Sequence, residues 1–262
     1  MGKYGRQTLP VLILAGIVLI WEAAVRIAGI PLYVLPSPTE VAAALFADGK
    51  NLAGHAFVTV MEALAGMGIA FVMAAFLGIA MDSFPSVKRG IYPLLVVTQT
   101  VPMIVLAPIL IIYLGFGMAP KILTVVLMCF FPIVVSFVDG MEQLDEDYVN
   151  LVRSYGAGKW SVYSLVKIPA ALPSMISGLK VSATYSISGA VVGEWIGSQS
   201  GLGYYLLRVK NGYMLDKVFA CVLVIICLSL FMNGLIRLVQ ILAMPYSRTG
   251  ATEKREFKEE NL

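Results

Sequence analysis

Six apolar segments, near residues 9–30, 55–81, 91–113, 119–139, 173–196 and 217–242, leave this chain few ways to fold. Crossing a hydrocarbon core about 30 Å thick takes about 20 helical residues, and each segment is long enough. Of the 262 residues, 59% are hydrophobic and 13% charged, whereas soluble domains carry roughly 25% charged residues. Mean hydropathy is +0.85. The expectation is an all-α membrane protein with about six transmembrane helices. The first apolar run follows Lys3 and Arg6 as a signal peptide would. Trp21, Glu22 and Arg26 then stand where a small-residue cleavage site would be needed, so it reads as a retained span.

Lys and Arg gather on the cytoplasmic side of membrane proteins. With the N-terminus inside, 13 of the 19 basic residues fall at cytoplasmic loops, ends and helix termini, among them Lys88, Arg89, Arg153, Lys159 and Lys167. Arg26, Lys50, Lys121, Arg208, Lys210 and Lys217 fall outside. Both termini are therefore expected in the cytoplasm. The chain divides into an N-terminal helix (1–34), a main membrane domain (35–245) and a charged cytoplasmic tail (246–262). A net charge of +3 is too small to argue for nucleic acid. Cys129, Cys221 and Cys227 lie in apolar stretches without metal-ligand spacing and read as small apolar side chains. His55 is the only histidine, so no histidine metal site is expected.

This topology leaves one long cytoplasmic segment, about 140–172. Within it, RSYGAGKWSVYSLVKIP has the look of a phosphate-binding loop. Such a loop needs G-x-x-x-x-G-K-[ST], with a hydroxyl on magnesium. Here Trp160 follows Gly158-Lys159, Arg153 stands where the first glycine belongs, and no apolar strand precedes. Helix signals fit better. Asp145, Glu146 and Asp147 favour the start of a helix over Tyr148–Tyr155, and Gly156 suits the left-handed conformation that ends one. A second helical turn spans Ser161–Lys167, with Pro169 and Pro173 closing it. The result is a bent two-helix knob whose exposed surface shows Arg153, Tyr155, Lys159, Trp160 and Tyr163. Such residues form protein-binding hot spots; they also populate interfacial aromatic belts.

The segment resembles the signature loop of the integral-membrane permeases of bacterial ABC importers, which reads E-A-A, three residues, Gly, nine residues, I-x-L-P. Gly156 takes the glycine, and Val166-Lys167-Ile168-Pro169 takes the apolar-x-apolar-Pro end. The E-A-A positions hold Asn150-Leu151-Val152, a departure that removes the glutamate. LPSPTEV at 35–41, TQTVPMIVLAPILIIYLGFG at 98–117 and GEWIGSQSGLGYYLL at 193–207 look like the branch carrying nitrate, taurine, sulfonate and thiamine-pyrimidine precursors. The resemblance covers roughly 35–245. It implies a multi-pass protein of a bacterial cytoplasmic membrane, paired as a homodimer, with an ATPase dimer inside and a solute-binding protein outside. The knob, with Arg153, Tyr155, Gly156, Ala157, Lys159, Trp160, Val166, Ile168 and Pro169, would be the coupling helix that docks on the ATPase. ATP and magnesium would be bound by that partner, and no cofactor or metal by this chain. The cargo that fits best is a thiamine-pyrimidine precursor, with sulfonate, taurine, nitrate and riboflavin as alternatives.

Candidate pathway residues come from polar or helix-breaking positions inside spans. In the third span Gln99 stands beside Pro102, where freed backbone survives only in protein or beside a cavity. In the fifth, Ser182, Ser186 and Gly189 make one small polar face, suited to close helix packing and, in a homodimer, to lining a central path. Glu194 ends that span, where a carboxylate marks function; binding substrate, pairing with Arg208 and fixing the following loop are all open, with a gate role favoured by the resemblance. Gly201, Leu202 and Gly203 make either a tight turn or a surface for the binding protein. Glu62, inside the second span, should face protein. An ion-coupled secondary transporter would need an internal repeat, and the halves show none; a membrane enzyme would need clustered acid or histidine residues at one face.

Overall fold

The computed structural model describes residues 5–244, with side chains from Leu9 onward. Among them every regular element is helical: α1 (Gly5–Ile27), α2 (Pro38–Ala47), α3 (Gly49–Ser83), α4 (Pro85–Thr100), α5 (Met103–Leu114), α6 (Met118–Glu142), α7 (Glu146–Ser154), α8 (Lys159–Val162), α9 (Ile168–Glu194), α10 (Leu202–Asn211) and α11 (Leu215–Ala243). The tail at 246–262 lies outside the described residues. The short helix expected after PSPTE is α2. Ser37 caps it, its hydroxyl accepting from Glu40 N while the Glu40 carboxylate accepts from Ser37 N at 2.7 Å. Two orphan backbone donors are satisfied reciprocally.

Small residues set the central packing. A Cβ on Gly66 would come within 2.5 Å of Val125, and one on Gly78 within 2.5 Å of Phe137. The paired positions advance together, so α3 and α6 run parallel. Gly140 meets Ser174, Gly178 meets Ser136, and Gly189 meets Val125. As α6 advances α9 retreats, so those two are antiparallel. Ala63, Ala70, Ala74 and Ala183 are fully enclosed between these three helices. In a bilayer, where apolar surface is satisfied by lipid, such close backbone approach is what drives helices together.

Parallel α3 and α6 require the segment between them to return across the membrane. It does so as a broken span: α4 and α5 meet at 103° across Val101-Pro102. The interruption expected at Pro102 within the 91–113 span is thus a sharp bend. Pro102 disfavours helical geometry at the residue before it, and Val101 is extended at φ −83°, ψ 120°. Counted as one crossing, this pair brings the total to six.

A correction concerns Pro169 and Pro173, which do not close the knob's second helix. One helical rod runs from Lys159 to Glu194, with a π turn at Tyr163–Lys167 joining α8 to α9. The π turn ends just before Pro169, which stands in the first turn of α9 where a missing N–H costs least, and Pro173 lies inside α9 without ending it.

α1 stands at the periphery and buries little of its apolar length. Its outer end is tied down. Trp21 rests on Phe219 with ring centres 5.6 Å apart, Glu22 pairs with Arg26 as their spacing predicts, and the Glu22 carboxylate accepts from Thr39 N at 3.1 Å.

Candidate functional site

The inner end carries the knob. Asp145 caps α7, its carboxylate accepting from Asp147 N at 3.0 Å, and Glu146 and Asp147 occupy the positive end of the helix dipole. Gly156 has φ +83° and ends the helix as expected; a Cβ there would meet nothing, so the glycine is required by backbone conformation alone. Tyr155 is 85% exposed and Trp160 72%. Arg153 and Lys159 are exposed beside them, Lys159 lying over the Phe84 ring at 4.9 Å. Ala157, Val166 and Ile168 are half-buried and Pro169 is exposed. Tyr163, expected on the same surface, is instead 6% exposed. Its hydroxyl donates to Asp82 at the end of α3 and accepts from Ser83 at 2.8 Å, because the π turn swings it inward. Asn150, at the position of the absent glutamate, faces a cavity of about 310 Å³ together with Glu146 and Arg153.

At mid-depth the break between α4 and α5 opens a cavity of about 240 Å³, lined by Thr98, Gln99, Val101, Pro102, Met128 and Tyr185. Gln99 and Pro102 therefore meet at one site. Ser182 and Ser186 do not join them. Both are completely buried; the Ser182 hydroxyl donates to Cys129 O on α6 at 2.9 Å, and Cys129 Sγ returns the bond to Ser182 O. The exposed face of α9 is the opposite one, with Ser177, Thr184, Tyr185 and Ser188. The sequence held a signal for this. Gly178, Gly189 and Gly193 share the face of Ser182 and Ser186, and the face with most glycine allows the closest backbone approach.

The outer end is closed around carboxylates. Glu194 is fully buried, accepting from Thr59 Oγ1 at 2.7 Å and from Gly203 N at 2.6 Å; Arg208 is not its partner. Glu62 is also fully buried, as its place inside a span predicts, and pairs with Lys121 at 2.9 Å. Lys121, expected on the outer side, lies at that end of α6 and is buried there. Gly201, Leu202 and Gly203 are likewise buried rather than surface-exposed. Gly201 (φ +104°) donates to His55 Nδ1 at 3.1 Å and Leu202 N to Thr59 Oγ1 at 2.8 Å. A Cβ on Gly201 would sit 2.1 Å from the Glu194 carboxyl carbon. These glycines are what let backbone donors approach the carboxylate. Farther out, the Tyr205 hydroxyl, bonded at 2.6 Å, and Lys217 hold the Asp48 carboxyl below its usual range. Burial first, then Asp48, pushes the Tyr205 hydroxyl up. Among the described residues no cluster of three His, Cys, Asp or Glu is placed to hold a metal.

Residues 66–240 match a family described as the binding-protein-dependent transport system inner membrane component. A probable ABC transporter permease protein of Haemophilus influenzae is 31% identical over 225 residues, which cover 86% of this chain and 92% of that one. The formylaminopyrimidine transport permease protein ThiX of Halalkalibacterium halodurans is 31% identical over 240 residues, covering 91% and 96%. Among solved structures, a chain of the inward-facing MetNI methionine ABC transporter superposes with a TM-score of 0.59 at 14% identity, covering 72% of this chain and 95% of that one. At that identity the likeness is one of fold.

Proposed function

This chain belongs to the binding-protein-dependent inner membrane component family, the permeases of ABC importers, and from that premise we propose that its knob is the coupling segment for a separate ATPase and that its cargo is a thiamine-pyrimidine precursor. The observation that carries the first part is the knob itself: a glycine-bent pair of helices at the inner end with Tyr155 and Trp160 left exposed. Large rings are left exposed at a cost, and burying them against a partner recovers it. Permeases of this family are generally non-catalytic, with ATP hydrolysed on a separate subunit, so ATP and magnesium belong to that partner. The family also implies a solute-binding protein outside. A homodimer would set two α4–α5 breaks face to face, with Gln99, Pro102 and Tyr185 along the path and Glu194 acting as part of an outer closure. Likeness to ThiX along nearly the whole chain supports the choice of cargo.

Two experiments test this reading. Co-purification with the cognate ATPase in nanodiscs should succeed for the wild type and fail for Gly156→Pro, which cannot adopt φ +83°, and for Trp160→Ala. A wild-type chain that holds no ATPase and moves solute down an ion gradient would replace this reading with that of a secondary transporter. Uptake into proteoliposomes, with binding protein present, should favour formylaminopyrimidine over taurine, an alkanesulfonate, nitrate or riboflavin. Preference for one of those would reassign the cargo and leave the importer intact.

A further inference from the structure

The rod that leaves the knob carries Pro169 and Pro173 near its start, yet it does not break. Between the knob and Pro169 it passes through the π turn at Tyr163–Lys167, in which Ile168 N donates to Tyr163 O, five residues back. Such turns are rare and concentrate at functional sites. Both ends of this one are held by a single carboxylate. Lys167 Nζ donates to Asp82 Oδ2 at 2.6 Å, and the Tyr163 hydroxyl donates to the same oxygen. Ser83, next along α3, donates to the Tyr163 hydroxyl. The Asp82 side chain is only 6% exposed, so these are charge-assisted bonds largely shielded from water.

Asp82 lies in the last turn of α3, and α3 is one unbroken helix of 35 residues. Its other end supplies His55, Thr59 and Glu62, which hold Gly201, Leu202 and Lys121 at the outer closure. The knob's back face is not packed solid. The cavity of about 310 Å³, lined by Asp82, Asn150, Arg153 and Lys167 among others, leaves room for the knob to shift without compressing a close-packed core.

We propose that Asp82 is a positioning residue that clamps the π turn to α3 and thereby passes movement of the knob along α3 to the outer closure. This inference rests on the coupling role given to the knob above. Through Asp82, a displacement at Trp160 tilts or draws α3 as a rigid body. Without it, the knob moves on a hinge at the π turn and α3 stays where it is.

The test uses the permease–ATPase complex in nanodiscs, with Cys227→Ser removing the exposed native thiol and spin labels at Lys50→Cys and Gln199→Cys. The wild-type distance between the labels should change when nucleotide and vanadate are added. In Asp82→Asn and in Tyr163→Phe the ATPase should remain bound and ATP should still be hydrolysed, while the nucleotide-driven shift is lost. Asp82→Glu should restore it. A shift unchanged in both Asp82→Asn and Tyr163→Phe overturns the proposal. So does a wild-type distance that ignores nucleotide, or a loss of ATPase binding in both variants, which would make the cluster a part of the docking surface. A wild type that retains no ATPase is a different failure: it sinks the coupling role of the knob itself, whatever the Asp82 variants do.

Discussion

At the outer end Glu62, Lys121 and Glu194 are buried among their own partners, while at the inner end Tyr155 and Trp160 stand 85% and 72% exposed. Both sets are residues that a membrane protein places at a cost. At the outer end most of that cost is met internally: each carboxylate has a backbone, hydroxyl or ammonium donor, with Glu62 Oε2 alone left without one, and three glycine-loop residues close over them. At the inner end it is left unmet within this chain, and the coupling role proposed above would have a partner supply the missing burial. A buried polar network holds one arrangement and resists change, whereas an exposed aromatic patch is complete only when something docks on it. On the proposed function, the difference separates the part of the molecule that stays shut from the part that a partner grasps.

That contrast can be broken most severely at Lys121. Lys121→Met leaves the Glu62 carboxylate buried beside Glu194 without its cation, and breaking a buried pair costs about 3–5 kcal/mol. Unfolding in detergent micelles should show that loss. An equally stable variant would mean that the outer network is not what closes this end. Gly201→Ala should act on the same closure for a steric reason, its Cβ lying 2.1 Å from the Glu194 carboxyl carbon at φ +104°. Overpacking of this kind costs about 1–3 kcal/mol, again read from detergent unfolding.

The inner end should respond oppositely. Trp160→Ala should leave stability within about 0.5 kcal/mol and weaken ATPase binding by about 2 kcal/mol, roughly 30-fold, measured by titration of the nanodisc complex. A loss of stability without a loss of binding would reverse the assignment of the two ends. The smallest effect is expected at Gly156→Ala. Its Cβ meets nothing, so the change isolates the left-handed backbone, about 1 kcal/mol, and should lower ATPase binding by about fivefold.

The spans were legible because hydrophobic length is a property of consecutive residues. The bend at Gly156 and the cap before α7 were legible for a similar reason, since both are written within a few residues of one another. The 103° break was half legible: Pro102 announced an interruption, but only the parallel run of α3 and α6 requires the chain to turn there and still cross. Tyr163 was misplaced because the sequence offered no sign that a π turn would rotate it onto Asp82, 81 positions earlier. The close-packing face of Ser182 and Ser186 was legible from its small residues, but the pathway role given to them was not, because α6 occupies that face completely. Gly201–Gly203 read as an outer turn, yet their glycines answer to Glu194.

By itself, then, the sequence determined a six-span helical membrane protein with a bent, glycine-hinged knob on its basic side. These follow from runs of apolar length, charge balance and local backbone preference, which need no distant partner. The tertiary structure alone decided which face of each helix is shut in, which carboxylate meets which donor, and where the knob is tied to the spans. Those depend on side chains separated by 50 to 150 positions, brought together only when small residues let α3, α6 and α9 approach closely enough for short polar side chains to reach across.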